Sequence, residues 1–339
     1  MTDATAILDA AAPPPPSLGR RLRMAATSSP AYMTAVLVLL VLFFTIMRPN
    51  TFASVFNLRN IFLDASVLLV ISIGMTYVMV AGGFDLSVGS MLVFAGVAAA
   101  KTMEALGTDG FGTVAIGTAV ALVAGLGWGL FNGFCIARLR VSALITTLGS
   151  MGAALGMSYL ITDGNDIRTV PKTLIAIGTG SIAGVPWLVV ISAIFTIFGM
   201  IVLHQTRYGR HTFLVGSNAE AARRAGINTA GHLMSLYALS GLLAGVAAML
   251  SLGRFSTTTL EGHGTDPLEA VTAVVLGGTS LYGGRGTIIG TVIGVFIPAV
   301  LANGFIIMGV QPFWQMVVIG FVVIAAVYAD QIKRQSQDR

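Results

Sequence analysis

Apolar residues run in long blocks near 31–47, 64–81, 88–105, 113–136, 142–161, 186–203, 231–252, 287–305 and 311–329. A membrane-crossing helix needs about 17–25 predominantly apolar residues, and each block has that length. The stretch 268–281 (LEAVTAVVLGGTSL) is apolar but short. It fits either a short span or a re-entrant half-helix, which is tolerated only where it is buried in protein or lines a cavity. Counted as a crossing, it brings the expectation to an all-α polytopic membrane protein of about ten transmembrane helices.

The basic residues orient this array. With both termini cytoplasmic, the inside segments hold Arg20, Arg21, Arg23, Arg138, Arg140, Arg207, Arg210, Arg223, Arg224, Arg285, Lys333, Arg334 and Arg339. The outside segments and their flanks hold Arg48, Arg59, Lys101, Arg168, Lys172 and Arg254. Cytoplasmic loops carry the excess of Lys and Arg, so both termini are expected inside. Residues 1–30 then read as a disordered cytoplasmic tail with an extended tetraproline, Pro13 to Pro16, and not as a signal peptide, because no small-residue cleavage pattern follows the first apolar run. Residues 31–330 form the transmembrane domain, 204–230 a cytoplasmic loop and 331–339 a short cytoplasmic tail. The segments 162–185 and 253–267 fall outside. No extramembrane stretch is long enough for a separate domain.

Composition changes this picture little. The 339 residues are 55% hydrophobic and 10% charged, where soluble domains carry about 25% charged residues. The formal charge of +5 suggests nucleic acid in a soluble protein, but here the cations sit at span ends, where topology accounts for them. The single cysteine, Cys135, has no internal partner for a disulfide.

Absent motifs exclude several chemistries. None of the three lysines follows a glycine, so no GxxxxGK[ST] phosphate loop exists. There is no HExxH and no GxSxG. Glu261, His263 and Asp266 form the one His–carboxylate cluster, expected to be a solvated external turn rather than a metal site. Among ionisable groups near the spans, Asp64 and Asp85 stand out, both near expected helix ends. So few intramembrane charges weigh against an ion-coupled carrier, because each costs about 2.5–3.5 kcal/mol at mid-bilayer and would mark a pathway. An intramembrane enzyme would need a nucleophile, a metal or an aspartyl pair in the spans, and the sequence has none there.

The loop 204–230 is the informative hydrophilic segment. Ser217 and Glu220 have the spacing of a capping box, and Gly226 suits the left-handed position beyond a helix end. The roughly eight residues between them make a helix too short to stand alone in water, so tertiary packing or a partner has to hold it. Ala221, Ala222 and Ala225 give a low-profile face, and Arg223 and Arg224 offer charge. Local physics leaves open a docking helix or an ordinary connector.

Two glycine-rich turns complete the pattern. Gly82-Gly83-Phe84-Asp85-Leu86-Ser87-Val88-Gly89-Ser90 interrupts two apolar runs and places Asp85, Ser87 and Ser90 beside them, Asp85 as a possible cap for the following helix. At an offset of 195, residues 78–90 and 273–285 share Val80/Val275, Gly82/Gly277, Gly83/Gly278, Leu86/Leu281 and Gly89/Gly284. Interrupted helices in duplicated halves point to a translocation path, while small residues at such turns equally serve close helix packing.

Several of these segments resemble one family. Glu220-Ala221-Ala222-x-x-x-Gly226 is similar to the EAA-x3-Gly coupling signature of ATP-binding-cassette importer permeases. Thr206-Arg207-Tyr208-Gly209-Arg210, Gly216-Ser217-Asn218, GGFDLSVGS at 82–90, Asn132-Gly133 with Arg138, Thr147-Leu148-Gly149, the run Ala273 to Gly286, and Asn303-Gly304 resemble its branch of ribose, xylose, arabinose and galactoside permeases. The likeness runs from about 57 to 330. Val141-Ser142-Ala143-Leu144-Ile145 departs from that branch's proline-rich pattern, and Pro267-Leu268-Glu269 from its Glu-Leu-Asp; both concern substrate identity rather than coupling.

The resemblance implies a bacterial inner-membrane permease subunit without catalysis or cofactor of its own, ATP and Mg being held by a partner ATPase. It implies helices 2–5 and 7–10 as pseudo-symmetric halves. The partners it implies are a second copy, cytoplasmic ATPase subunits on 204–230, a periplasmic sugar-binding protein and a monosaccharide. Arg207, Gly209, Arg210, Glu220, Ala221, Ala222 and Gly226 would serve coupling. Asp85, Ser87, Ser90, Asn132, Thr279, Ser280 and Asn303 would lie on the path or in the packing around it. A branched-chain amino acid or nucleoside permease of the same architecture is the alternative, with an ion-coupled secondary sugar carrier behind it.

Overall fold

Polar residues at the ends of apolar runs decide where the helices begin. The computed structural model describes residues 29–311 and, beyond them, 313, 314, 317, 318, 320, 321, 324 and 328. Of the expected tails, 1–30 and 331–339, residues 1–28 and all of 331–339 lie outside the described residues, and Ser29 and Pro30 already belong to the first helix. Helices α1 (Ser29–Met47) and α2 (Pro49–Phe52) lead into α3 (Val55–Val80), α4 (Val88–Leu106), α5 (Phe111–Ala137) and α6 (Ala143–Thr162). A short helix α7 (Lys172–Thr179) and a hairpin of β1 (Ser181–Ile182) and β2 (Val185–Pro186) precede α8 (Trp187–Gln205). The loop helices are α9 (Arg207–Ser217) and α10 (Ala219–Arg224); α11 (Thr229–Phe255), α12 (Asp266–Leu276) and α13 (Ile288–Met308) follow. Seven helices, α3, α4, α5, α6, α8, α11 and α13, are long and apolar enough to cross a membrane, with Ala31–Met47 a shorter apolar helix beside them. The chain is therefore an all-α polytopic membrane protein. The described residues between 313 and 328 are helical.

Helix α3 starts nine residues before the apolar block at 64–81. Ser54 caps it, accepting from Asn57 N at 3.2 Å. Its early turns tolerate polar residues because each meets a partner. Asn57 and Asn303 exchange two amide hydrogen bonds of 2.9 Å, Arg59 donates to Thr179 O, and Arg254 pairs with Asp64 at 2.9 Å. Asp64 thus sits ten residues into a helix rather than near its end.

The stretch 268–281 is a half-helix. Eleven residues rise about 16 Å, roughly half of a hydrocarbon core of about 30 Å. It is buried, with Ala270, Ala273 and Val274 inaccessible, and it pairs with α13 as an antiparallel hairpin: a Cβ on Gly277 would press on Gly290, and one on Gly294 on Ala273.

The two glycine turns share a helix ending. Gly82 N donates to Met79 O and Gly83 N to Val78 O; Gly278 N donates to Val275 O and Thr279 N to Val274 O. Both are Schellman caps, with Gly82 at φ +80° and Gly278 at φ +88°. The structural register is therefore Gly82 to Gly278, an offset of 196 rather than 195. It joins helix 2 of the expected ten to helix 8, a different pairing from the one halves 2–5 and 7–10 would give.

Helices α3 and α11 form the centre; α5, α6 and α8 form the periphery, exposing Phe131, Leu160 and Phe198. Helices α5 and α11 cross at backbone contact. A Cβ on Gly125 would strike Gly241 O, one on Gly241 would strike Gly125 O, and one on Gly245 would strike Ala121 O. Small residues at four-residue spacing let apolar helices approach this closely, and dispersion then holds them where no hydrophobic effect operates. Gly127, on the same helix, faces open space. Gly241→Leu is expected to cost at least about 1–3 kcal/mol through overpacking and to abolish the monodisperse peak in detergent size-exclusion chromatography, while Gly127→Leu retains it.

Candidate functional site

The hydrophilic loop folds into two helices because its caps and its buried stripe are in register. Thr206 caps α9, accepting from Gly209 N at 3.3 Å. Gly209, Thr212 and Val215 face inward at three-residue intervals, while Arg207 and Arg210 are exposed. Thr212 Oγ1 bonds His232 Nε2 at 2.9 Å, and Tyr208 bonds Ser235 at 2.9 Å, so the buried stripe is tied to the first turns of α11. Gly209 lies against the backbone of Leu203, where a Cβ does not fit. Its surroundings are packing, not an outward surface.

Helix α10 differs from the expected capping box. Ser217 ends α9, and Asn218 is the cap, its Oδ1 accepting from Ala221 N at 2.9 Å. Glu220 does not reach back to the cap; it pairs with Arg223 and Arg224, each at 3.0 Å. Two guanidiniums one turn along outcompete a backbone N–H for that carboxylate. They hold Glu220 below the usual carboxylate range, chiefly through hydrogen bonds from Arg223 and then from Arg224. Of the three alanines, Ala222 is buried against the protein, whereas Ala221 and Ala225 are exposed. Gly226 (φ +86°) closes the helix, its N–H bonding Arg223 O and that of Ile227 bonding Ala222 O. The result is a six-residue knob with charged, exposed sides and one buried anchor.

The knob stands on a junction of three backbones. Gly284 N donates to Val80 O at 2.8 Å. A Cβ on Gly216, near the end of α9, would collide with Val80 O and Gly284 N, and one on Gly283 would lie 2.8 Å from both Gly216 O and Gly82 N. The end of α9, the end of α3 and the α12–α13 turn therefore meet with no side chain between them.

Behind the junction lies a buried polar brace. Asp85 is inaccessible to solvent. Its Oδ1 accepts from Ser87 N at 3.1 Å and from Ser87 Oγ at 2.5 Å, and its Oδ2 from Ser240 Oγ at 2.8 Å. Asn132 Nδ2 donates to Ser87 Oγ at 2.8 Å, and Tyr237 OH to Phe84 O at 3.0 Å. The turn 81–87 is thereby fastened to α5 and α11. Ser90 is buried in α4. Thr279 and Ser280 belong to the other turn: Thr279 Oγ1 is buried without a partner, and Ser280 Oγ accepts from Tyr282 N. Asn303 is remote from all of these, paired with Asn57.

Sequence reasoning missed Ser240, Tyr237, His232 and Asn57. Ser240, at the centre of the apolar block 231–252 between Ser235 and Ser251, was the available signal. The cluster at 261–266 is also corrected. Glu261 is exposed, but His263 is only 7% exposed. It bonds Ser251 Oγ at 2.9 Å and Asp266 Oδ2 at 2.7 Å, because the loop 256–265 folds inward over α4 and α11. Among the described residues no group of three or more His, Cys, Asp and Glu side chains is placed to hold a metal ion.

Known proteins agree in kind. Residues 57–327 match the profile of the family described as the permease component of a branched-chain amino acid transport system. The ribose import permease protein RbsC of Escherichia coli K12 is 37% identical over 306 residues, covering 89% of this chain and 93% of that protein. The galactose/methyl galactoside import permease protein MglC of the same organism is 33% identical over 315 residues, covering 88% and 93%. The L-arabinose transport system permease protein AraH, also of that organism, is 34% identical over 311 residues, covering 90% and 91%. No solved structure matches the chain.

Removing a donor from the brace is expected to destabilise the protein. Ser240→Ala leaves a buried carboxylate oxygen short of a partner and costs about 1–3 kcal/mol, read as a lower unfolding midpoint in detergent. Ser181→Ala, on the exposed hairpin, leaves the midpoint unchanged.

Proposed function

The chain belongs to the branched-chain amino acid transport permease family, and on that premise we propose that it is the membrane permease subunit of a bacterial ATP-binding-cassette importer for a monosaccharide. The three relatives named above are permeases for ribose, galactose or methyl galactoside, and L-arabinose, which favours a sugar over the amino acids in the family's description. In this reading two copies form one path across the inner membrane, both termini face the cytoplasm, ATPase subunits dock on α9 and α10, and a periplasmic binding protein delivers the sugar. ATP and Mg belong to the ATPase; this chain supplies no catalytic group.

The observation that carries the reading is the seating of α10. Glu220, Ala221, Arg223 and Arg224 are exposed at its surface and Arg210 on its carrier helix α9, which rests on the backbones of Val80 and Gly284. A push on α10 therefore passes through Gly216 to the ends of α3 and the α12–α13 hairpin without a compressible side chain between. Asp85, Ser87 and Asn132 hold the turn below as a brace beside the path. Switching further requires that ATP-bound ATPases and the loaded binding protein stabilise different permease states unequally.

Gly226→Pro combined with Glu220→Arg tests this. The cap needs φ near +86°, which proline cannot adopt, and the reversed charge replaces the ion pairs with like-charge contact. The expected outcome in reconstituted importer is loss of sugar-stimulated ATPase activity and of transport, with the permease itself still monodisperse. Unchanged transport and stimulation would sink the docking assignment.

A further inference from the structure

A helix that ends halfway leaves a vacancy in the other half. Helix α12 runs beside only part of α13, its Gly277 meeting Gly290 and its Ala273 meeting Gly294, so it begins near residues 298–302 of α13. A cavity of about 420 Å³ occupies this place, within the usual range for small-molecule sites. It is walled by α3, the end of α11, the loop 256–265, α12 and α13, and its polar lining includes Asp64, Arg254, His263, Asp266, Glu269 and Asn303 beside Thr259.

Asp64 and Glu269, inside apolar helices, are out of place in a lipid-facing wall, while Arg254, His263 and Asp266 lie at helix ends or in the loop between them. Ionisable groups at membrane depth almost always face a water-filled cavity or a pathway, and short interrupted helices are where transporters build their sites. The groups are also held in position: Arg254 by Asp64 and Asn60, His263 between Ser251 and Asp266, Glu269 by Thr265, and Asn303 by Asn57.

From this arrangement we infer that the cavity is a transient binding site, one in each copy, for a neutral polyhydroxylated molecule of monosaccharide size. Three carboxylates against one guanidinium disfavour an anion. The absence, among the described residues, of three His, Cys, Asp or Glu side chains placed around one point disfavours a bare metal ion. Hydroxyl groups that both donate and accept suit carboxylates, guanidinium and amide together, and the apolar wall of Leu63, Val67 and Ala299 suits the C–H face of a sugar ring. The inference rests on the sugar-permease reading and adds to it a site within a single copy, at the half that reading places outside.

The test is cysteine protection on the purified full chain in nanodiscs. In a Cys135→Ser background, Thr259→Cys and Ala302→Cys place thiols in the cavity wall, and Ser181→Cys serves as an exposed reference. A charged methanethiosulfonate reagent should label all three. D-ribose, D-galactose or L-arabinose at about tenfold its dissociation constant should slow labelling at 259 and 302 about tenfold by occupancy, leave 181 unaffected, and lose this effect when Glu269→Gln and Asp64→Asn are added. D-ribose 5-phosphate should give no protection. Failure of both cavity thiols to label while 181 labels overturns the site, as does labelling indifferent to every sugar, or equal protection by the phosphate. Sugar import by the reconstituted importer, measured in parallel, separates the two ideas. Import without protection removes the site and leaves the permease, whereas protection without ATP-driven import of any of the three sugars removes the permease reading and leaves the site.

Discussion

The contact of three backbones at Val80, Gly216 and Gly283–Gly284 constrains everything around it. Side chains are soft spacers; they rotate and absorb displacement. Where a carbonyl, an amide and two glycine Cα atoms meet directly, an applied displacement has to move whole segments. Those segments are the most buried helix of the protein, the half-helix hairpin and the hydrophilic loop. The glycines in the turns are thus part of the mechanical design as well as of the chain reversal.

The second constraint is the treatment of polar groups within an apolar array. A polar side chain facing hydrocarbon has no water to fall back on, so each must find protein partners or a wet cavity. At the junction end, Asp85 meets three donors and becomes a fastener between one turn and two helices. At the far end, Asn57, Asp64, Arg254 and Asn303 pair across α3, α11 and α13, and these pairs allow α3 to continue two and a half turns beyond its apolar block. The two polar regions differ in access. The Asp85 brace is sealed, whereas the far region opens into a cavity where Asp64 keeps 52% of its side-chain surface exposed.

Placing these regions side by side suggests a division of labour within one copy. The sealed brace and the glycine junction form a rigid base beneath α9 and α10, suited to receiving a push. The half-helix occupies the middle, attached to that base through its C-terminal turn and to the open cavity through its N-terminal end. Helices α12 and α13 run from that base to the cavity wall in close contact at Gly277–Gly290 and Ala273–Gly294.

Much of this was legible in the sequence. Block length and hydropathy marked the seven long apolar helices, because a bilayer sets helix length directly. Gly226 announced the end of α10 and the paired glycines announced the two turns, because left-handed backbone is a local requirement that few residues meet. The EAA-x3-Gly segment and its companions identified the family, because the short loop helix and the turns are written in contiguous residues. The tertiary structure alone decided the rest. Asn218 rather than Ser217 caps α10, because Glu220 finds two arginines once the helix forms. The turns align at 196, because hydrogen bonding and not residue identity defines a cap. His263 is buried, because its loop folds inward. Ser240 meets Asp85 across 155 positions and Arg254 meets Asp64 across 190. Local sequence carries backbone preference and burial pattern, but the partner of a buried polar group depends on which distant helices the chain brings together, and no local pattern records that.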